Sequence, residues 1–142
     1  MKIGLNATCI NDRPSGAKQR FIGIYSHLVR RMPGVEFVIF EPADCRMRQW
    51  FADAPNVSTR ATPIPSEGRV GKLVKSLGFW SGALRRENFD LFEGFHLPLE
   101  KPRSGHTLLT IHDIRRVHLD WGWFERTAFR AALTSALNKA DL

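Results

Sequence analysis

One segment of the chain ends in residues suited to acid–base chemistry. His112 and Asp113 follow the apolar run 107–111. A histidine at a strand end can hydrogen-bond a sugar hydroxyl, polarise a phosphate or transfer a proton, and a neighbouring aspartate can fix its tautomer. We therefore predict that His112 and Asp113 are the catalytic residues. The alternative is that His112 is a packed structural histidine.

A loop near the N-terminus has the chemistry to bind a phosphate. Gly16 ends the polar turn 11–16 ahead of a predicted helix. Glycine lets backbone amides approach a ligand closely, and the helix N-terminus favours anions. Lys18 and Arg20 fall in the first helical turn, where cations are unfavourable unless an anion accompanies them. We assign Gly16, Lys18 and Arg20 to substrate or phosphate binding; the alternative is a solvated turn with two surface cations.

A second loop, after a predicted strand at 89–92, contains Glu93 and His96. Residues that follow parallel strands face the crevice in which open α/β sheets bind their ligands. We therefore add Glu93 and His96 to the predicted substrate-binding residues. The alternative for His96 is a loop histidine that packs on Pro98.

Five residues that could ligate a metal lie close together in the sequence: His106, His112, Asp113, His118 and Asp120. Zinc needs ligands that converge on one point. His106 is expected before the last predicted strand and His112 after it, which separates them by roughly 20 Å. Cys9 and Cys45 are too few and too widely spaced for cysteine-based zinc binding. We predict no metal and no resident cofactor.

The elements that must position these residues alternate between strand and helix patterns. Strands are predicted at 2–8, 35–40, 56–62, 89–92 and 107–111, and helices from about 16 to 32, from 70 to 86, and from Trp121 to about 137. Apolar strands that alternate with helices indicate a doubly wound, mainly parallel α/β sheet of Rossmann-like type. In the second helix, the pattern places an apolar stripe through Val70, Leu73, Val74, Leu77, Trp80 and Leu84, with Lys72, Lys75, Arg85 and Arg86 off it. Its simplest interpretation is a core helix with a solvated basic face.

The length of 142 residues and the 43% hydrophobic composition predict one domain, 1–142. No run of about 18 apolar residues and no signal-type segment is present, so we expect a cytoplasmic protein, at most peripheral to the inner face of the membrane. The net charge of +7 favours anionic partners, which include phosphate-bearing substrates and anionic membrane surfaces. The basic residues are scattered and form no tail or nucleic-acid motif, so nucleic acid is not the expected partner.

Five segments carry a resemblance to a known family: 1–5 (MKIGL), 15–21 (SGAKQRF), 89–94 (FDLFEG), 110–114 (TIHDI) and 140–142 (ADL). Together they resemble the N-terminal domain of family-four glycosyltransferases, which have the GT-B fold and usually retain anomeric configuration. Two positions depart from the family pattern. Ala17 stands where a second loop glycine is common, and Glu93 stands where the fourth strand usually ends in histidine.

The resemblance implies transfer of a sugar from a nucleotide-sugar donor to an acceptor hydroxyl, without a required metal. It implies that Gly16 and His112, with Arg20, face the donor phosphates, and that this domain holds a glycan or lipid-linked acceptor in polysaccharide synthesis. The family's donor-binding half is absent from 1–142, so the chain alone is expected to be inactive. The main rival is a stand-alone phosphate-ligand or nucleotide-binding Rossmann-like module. A further alternative is a basic nucleic-acid or membrane-surface binding protein that uses helix 70–86.

Overall fold

The computed structural model describes residues 1–111 and 122–141, apart from the side chains of Arg69, Val70 and Phe124. Within these residues the chain forms five strands: β1 (Lys2–Asn6), β2 (Glu36–Glu41), β3 (Val57–Ala61), β4 (Leu91–Gly94) and β5 (His106–Leu109). The same residues form three α-helices: α1 (Gly16–Arg31), α2 (Arg69–Arg86) and α3 (Trp123–Leu137). A short 3₁₀ helix, Arg48–Phe51, precedes β3. None of the helices in these ranges combines the length and apolar content that a membrane crossing needs.

The five strands form one parallel sheet in the order β3-β2-β1-β4-β5. Leu5 of the central strand lies between Ile39 of β2 and Glu93 of β4. This confirms the predicted fold class, and it places the first strand at the centre of the sheet. Because all five strands run in one direction, their carboxyl ends meet at a single edge of the sheet.

Both faces of the sheet are covered, as the alternation of side chains along β2 requires. Phe37 and Ile39 point into one core, and Val38 and Phe40 point into the other. The first core is closed by α1 through Phe21, Tyr25 and Val29, and the second by α2 through Trp80 and Leu84. The sheet is therefore doubly wound.

Gly4 allows the second core to pack closely on the central strand. A Cβ atom at Gly4 would lie 2.7 Å from the Phe92 ring and 2.9 Å from the Phe89 ring, closer than such atoms can approach. These two rings belong to an aromatic cluster with Phe40 and Trp80. The absence of a side chain at Gly4 therefore decides how near this cluster lies to β1.

The bounds of the last two strands differ from those predicted. β4 covers Leu91–Gly94 rather than 89–92, so Glu93 and Gly94 are strand residues and not part of the following loop. β5 begins at His106, which was expected to precede it, and ends at Leu109 rather than at residue 111. The reason is the register: Leu91 pairs with His106 and Gly94 pairs with Leu109, so β5 has strand partners only over this length.

The buried face of α2 also differs from the predicted apolar stripe. Leu73, Val74 and Leu77 are 49%, 65% and 63% exposed, whereas Trp80 and Leu84 are buried. Moving back from Leu84 in steps of four residues gives Trp80, buried Ser76 and half-buried Lys72. Residues four apart lie on one face of a helix. Because Trp80 and Leu84 are buried, Ser76 and Lys72 on the same face are turned towards the protein interior. The expectation that Lys72 lies on a solvated face was therefore wrong.

Candidate functional site

A cavity of about 660 Å³ lies beyond the carboxyl ends of β1, β4 and β5. Three of its wall segments directly follow those strands: Cys9 after β1, residues 95–98 after β4, and residues 109–111 at the end of β5. The first turn of α1, the N-terminal end of α2 and two residues of α3 complete the wall. The position is the one at which open α/β sheets bind ligands.

Among the described residues that line the cavity, Lys72 is the one with a cationic side chain. Its Nζ donates hydrogen bonds to the carbonyl oxygens of Thr8, at 3.2 Å, and Ser66, at 3.4 Å. No carboxylate in ranges 1–111 and 122–141 lies within 4.0 Å of this nitrogen. Burial lowers the pKa of Lys72 below its ordinary value, against the opposing influence of Cys9 and Asp44. An ammonium group has three hydrogens, so one remains for a ligand.

Glu67 in the cavity wall and Asp44, whose charge acts on Lys72, both have other partners. Glu67, which also lines the cavity, accepts hydrogen bonds from Arg13 at 2.7 Å and from Asn11 at 3.0 Å. Asp44 accepts from the backbone nitrogen and the hydroxyl of Ser66 at 2.9 and 2.7 Å. Burial raises the pKa of Asp44, but the hydrogen bonds from Ser66 outweigh it and the net shift is downward. Both acids are therefore held in place, and neither neutralises the cation directly.

His96 lines the same cavity as a neutral imidazole. Burial and the charge of Lys72 lower the pKa of His96 to about 3. Its Nδ1 is closed off from solvent and has no hydrogen-bond partner in the described part of the chain. A buried N–H without a partner is rarer than a buried acceptor without one, so we assign the proton to Nε2. The half-buried ring then offers a donor to the cavity.

Glu93 is buried and reaches the cavity through a neighbour. The Tyr25 hydroxyl donates to its Oε2, and the Thr110 hydroxyl donates to its Oε1 at 2.6 Å. Burial and the adjacent Glu93 raise the pKa of Tyr25 above its ordinary value. Thr110 lines the cavity, so Glu93 orients a residue of the wall and ties the ends of β4 and β5 to α1.

At the start of α1, the N-terminal end of the helix lines the cavity, whereas the nearby cations Lys18 and Arg20 do not. Ser15 caps α1 by accepting from the Lys18 backbone nitrogen at 3.1 Å, and Ala17, next to Gly16, lines the cavity. The Lys18 ammonium group lies 2.9 Å from the Asp12 carbonyl oxygen and 4.6 Å from the centre of the Trp50 ring. The Lys18 ammonium group thus already interacts with Asp12 and Trp50.

Arg20, two residues after Lys18 in α1, is exposed to solvent. Of the predicted phosphate-binding residues, the structure therefore brings His96 and the N-terminus of α1 together at the cavity. It places Lys18 and Arg20 away from the cavity wall.

The predicted catalytic pair, His112 and Asp113, lies outside the described residues, as do His118 and Asp120. Ile111, the residue before His112, lines the cavity. The catalytic assignment stays a prediction. Across the two described ranges, no three metal-binding side chains come together.

The central residue of the site, Lys72, was absent from the predicted binding residues. The signal that identifies it is the row Lys72, Ser76, Trp80 and Leu84, which has a spacing of four. That row competes with the more hydrophobic stripe through Leu73 and Leu77, and the sequence pattern favours the stripe.

Comparison of the chain with models of known protein families, with curated proteins and with solved structures finds no match. The proposals below therefore depend on the fold, the geometry of the cavity and the resemblance of the segments described above.

Proposed function

We propose that this chain is the acceptor-side domain of a glycosyltransferase that moves a sugar from a nucleotide-sugar to an acceptor hydroxyl in glycan or polysaccharide synthesis. We propose further that its cavity binds the phosphate-bearing part of a substrate. The observation that carries this is Lys72, a half-buried cation in the crevice at the strand ends that has no carboxylate partner among residues 1–111 and 122–141.

The electrostatics of the cavity support an anionic ligand. Ala17 lies in the first turn of α1, and Gly68 is the N-cap residue that precedes α2; both line the cavity. The N-terminal end of a helix carries a partial positive charge and free backbone N–H groups. Two such ends beside one ammonium group favour a phosphate, whose oxygens accept charge-assisted hydrogen bonds.

The division of labour in the proposal follows from the resemblance. This domain holds the acceptor, and a donor-binding half holds the nucleotide-sugar. His112 and Asp113 would provide the proton-transferring or phosphate-polarising group at the cleft between them. Departure of the nucleotide phosphate develops negative charge, which positive groups at the cleft stabilise.

The test is to read the gene beyond the codon for Leu142 and to assay its complete product for sugar transfer from nucleotide-sugars. The proposal expects a second α/β half with an acidic pair, and transfer to an acceptor hydroxyl. It also expects the 142-residue chain alone to be inactive and to bind nucleotide-sugars more weakly than micromolar. A stop codon directly after Leu142 would overturn it.

A second candidate is a stand-alone module that binds a small phosphate ligand. One observation favours it: Lys72, His96 and both helix ends belong to this one domain, so the anion site needs no second half. Micromolar or tighter binding of a nucleotide or sugar phosphate by the 142-residue chain, measured by calorimetry, would favour the module. Weak binding together with sugar transfer by the complete product would exclude it.

A further inference from the structure

The residues that line the cavity include both polar and apolar side chains. We call Lys72, His96 and Thr110 its polar end, and Leu73, Leu97 and Phe129 its apolar wall. We propose that the cavity binds a phosphate monoester attached to an apolar group, with the phosphate at Lys72 and His96 and the apolar group between α2 and α3. This inference rests on the proposed function and specifies its substrate class as an alkyl phosphate or a similar ester.

The polar end supplies donors for a phosphate. Lys72 has one ammonium hydrogen left after its bonds to Thr8 and Ser66. His96 offers its Nε2–H, because Nδ1 is closed off from solvent and without a partner among residues 1–111 and 122–141. A charged acceptor strengthens both hydrogen bonds. The cavity carboxylate that would repel a phosphate, Glu67, is bound by Arg13 at 2.7 Å.

The apolar wall makes a simple phosphate ion an incomplete ligand. Leu73 is 49% exposed and Ile111 is 36% exposed, and both border the cavity beside Phe129 and Pro98. A cavity of about 660 Å³ falls within the size range of sites that enclose whole small molecules. Covering these side chains removes apolar surface from water, so an attached apolar group adds affinity in proportion to the area that it buries.

The test is calorimetric titration of the 142-residue chain with inorganic phosphate, octyl phosphate and octyl glucoside, each below micelle formation. We expect octyl phosphate to bind at least about tenfold more tightly than either of the other two, because only this probe uses both parts of the cavity. Equal affinities for octyl phosphate and inorganic phosphate would overturn the apolar part of the proposal. Equal affinities for octyl phosphate and octyl glucoside would overturn the anion site.

Matched variants locate the two parts. Lys72→Met should weaken octyl phosphate binding by about tenfold to a hundredfold, the range for a lost charged hydrogen bond. Lys75→Met, on the exposed side of the same helix, should change it by less than about twofold. Leu73→Ser should weaken the binding of octyl phosphate but not that of inorganic phosphate, whereas Leu77→Ser should change neither. Equal effects within either pair would overturn the corresponding part of the proposal.

Two additional measurements keep the test decisive. A melting curve is recorded for each variant. If Lys72→Met does not fold, His96→Gln replaces it, and we expect the same loss of octyl phosphate affinity. An unchanged affinity in His96→Gln would overturn the site. Competition between octyl phosphate and vesicles containing phosphatidic acid supports a lipid source of the ester, and binding without competition supports a soluble one.

The outcomes separate this inference from the proposed function. Octyl phosphate binding that is lost in Lys72→Met, with no sugar transfer by the complete gene product, refutes the glycosyltransferase and leaves the site. Sugar transfer with no octyl phosphate binding refutes the site and leaves the glycosyltransferase.

Discussion

His96 combines a half-buried ring with a neighbouring positive charge, and both burial and the charge disfavour its protonated form. The pKa of His96 is about 3 in the folded protein, against an ordinary value of 6.5. Between these values the unfolded chain binds a proton that the folded chain does not, so stability falls as the pH decreases from 6.5 towards 3. Among residues 1–111 and 122–141, the charged group that acts on this ring is Lys72.

Replacing His96 should therefore reduce the dependence of stability on pH. We expect the wild-type free energy of unfolding to fall by about 1–2 kcal/mol more than that of His96→Gln when the pH is lowered from 7.5 to 5. Urea denaturation at the two pH values measures the difference. His27→Gln, which changes an exposed histidine on α1, is the control and should behave like the wild type. Parallel losses in wild type and His96→Gln would contradict the assigned environment.

The hydroxyl of Tyr25 stabilises a buried carboxylate. Tyr25→Phe removes its hydrogen bond to Glu93 and leaves only the bond from Thr110 among those described. Leaving a buried charged acceptor short of a donor should cost about 1–3 kcal/mol of unfolding free energy. Urea denaturation checks this. In the Glu93→Gln background the same Tyr25 change should cost less, because the charge is gone; an unchanged cost would show that the network does not act as a unit.

His112 remains the residue expected to be most sensitive in the complete enzyme. His112→Ala should lower turnover by about tenfold to a thousandfold, the range for one positioned proton-transfer or hydrogen-bonding group. Its melting temperature should change little. Steady-state kinetics and a melting curve on the same variant make the test. Near-normal turnover with a large fall in melting temperature would identify His112 as a packed structural histidine.

At the scale of elements, α2 shows which part of the fold the sequence pattern predicts poorly. The first helix has one apolar face, with buried Phe21, Tyr25 and Val29 and a Ser15 cap, so its bounds and orientation follow from spacing. In α2 two rows of residues compete. The buried row is decided by the aromatic cluster on the sheet, which is a tertiary contact that no local pattern contains.

The site, like the helices, has a part that the sequence predicts and a part that it does not. The rule that parallel strands share their carboxyl edge brings His96 and the loop after β1 together, as predicted. Lys72 comes from a helix face rather than a strand end, so that rule does not include it. Glu93 was misplaced for a different reason. The observed β4 lies two residues later than the predicted strand, so Glu93 is a buried strand residue rather than a loop residue.

A pair of leucines tests the orientation of α2. Leu84→Ala should destabilise the protein by about 2–5 kcal/mol, because Leu84 is buried in the second core. Leu77→Ala, at 63% exposure on the same helix, should cost less than about 1 kcal/mol. Chemical denaturation of both variants measures the two losses of unfolding free energy. A larger loss for Leu77→Ala than for Leu84→Ala would support the predicted apolar stripe.

At the scale of the whole molecule, both cores depend on the central strand. Gly4→Ala should lower the free energy of unfolding by more than about 2 kcal/mol, because the new methyl group would overlap the Phe89 and Phe92 rings. Gly23→Ala is the control: Gly23 lies in α1 with no atom within 4 Å of the new methyl position, and the change should stabilise by about 0.5–1 kcal/mol. Equal effects would show that the aromatic layer can move away from β1.

The strand order has a consequence for the time at which the fold becomes complete during synthesis. β1 is made first, but its two neighbours end at Glu41 and at Gly94. At about 5–20 residues per second, the ribosome needs roughly 3 to 11 seconds to proceed from the first of these residues to the second. During that interval one edge of the central strand has its hydrogen-bonding groups open to other chains. Codon choice and chaperone supply over this stretch should therefore affect the yield of folded protein more than they do elsewhere in the gene.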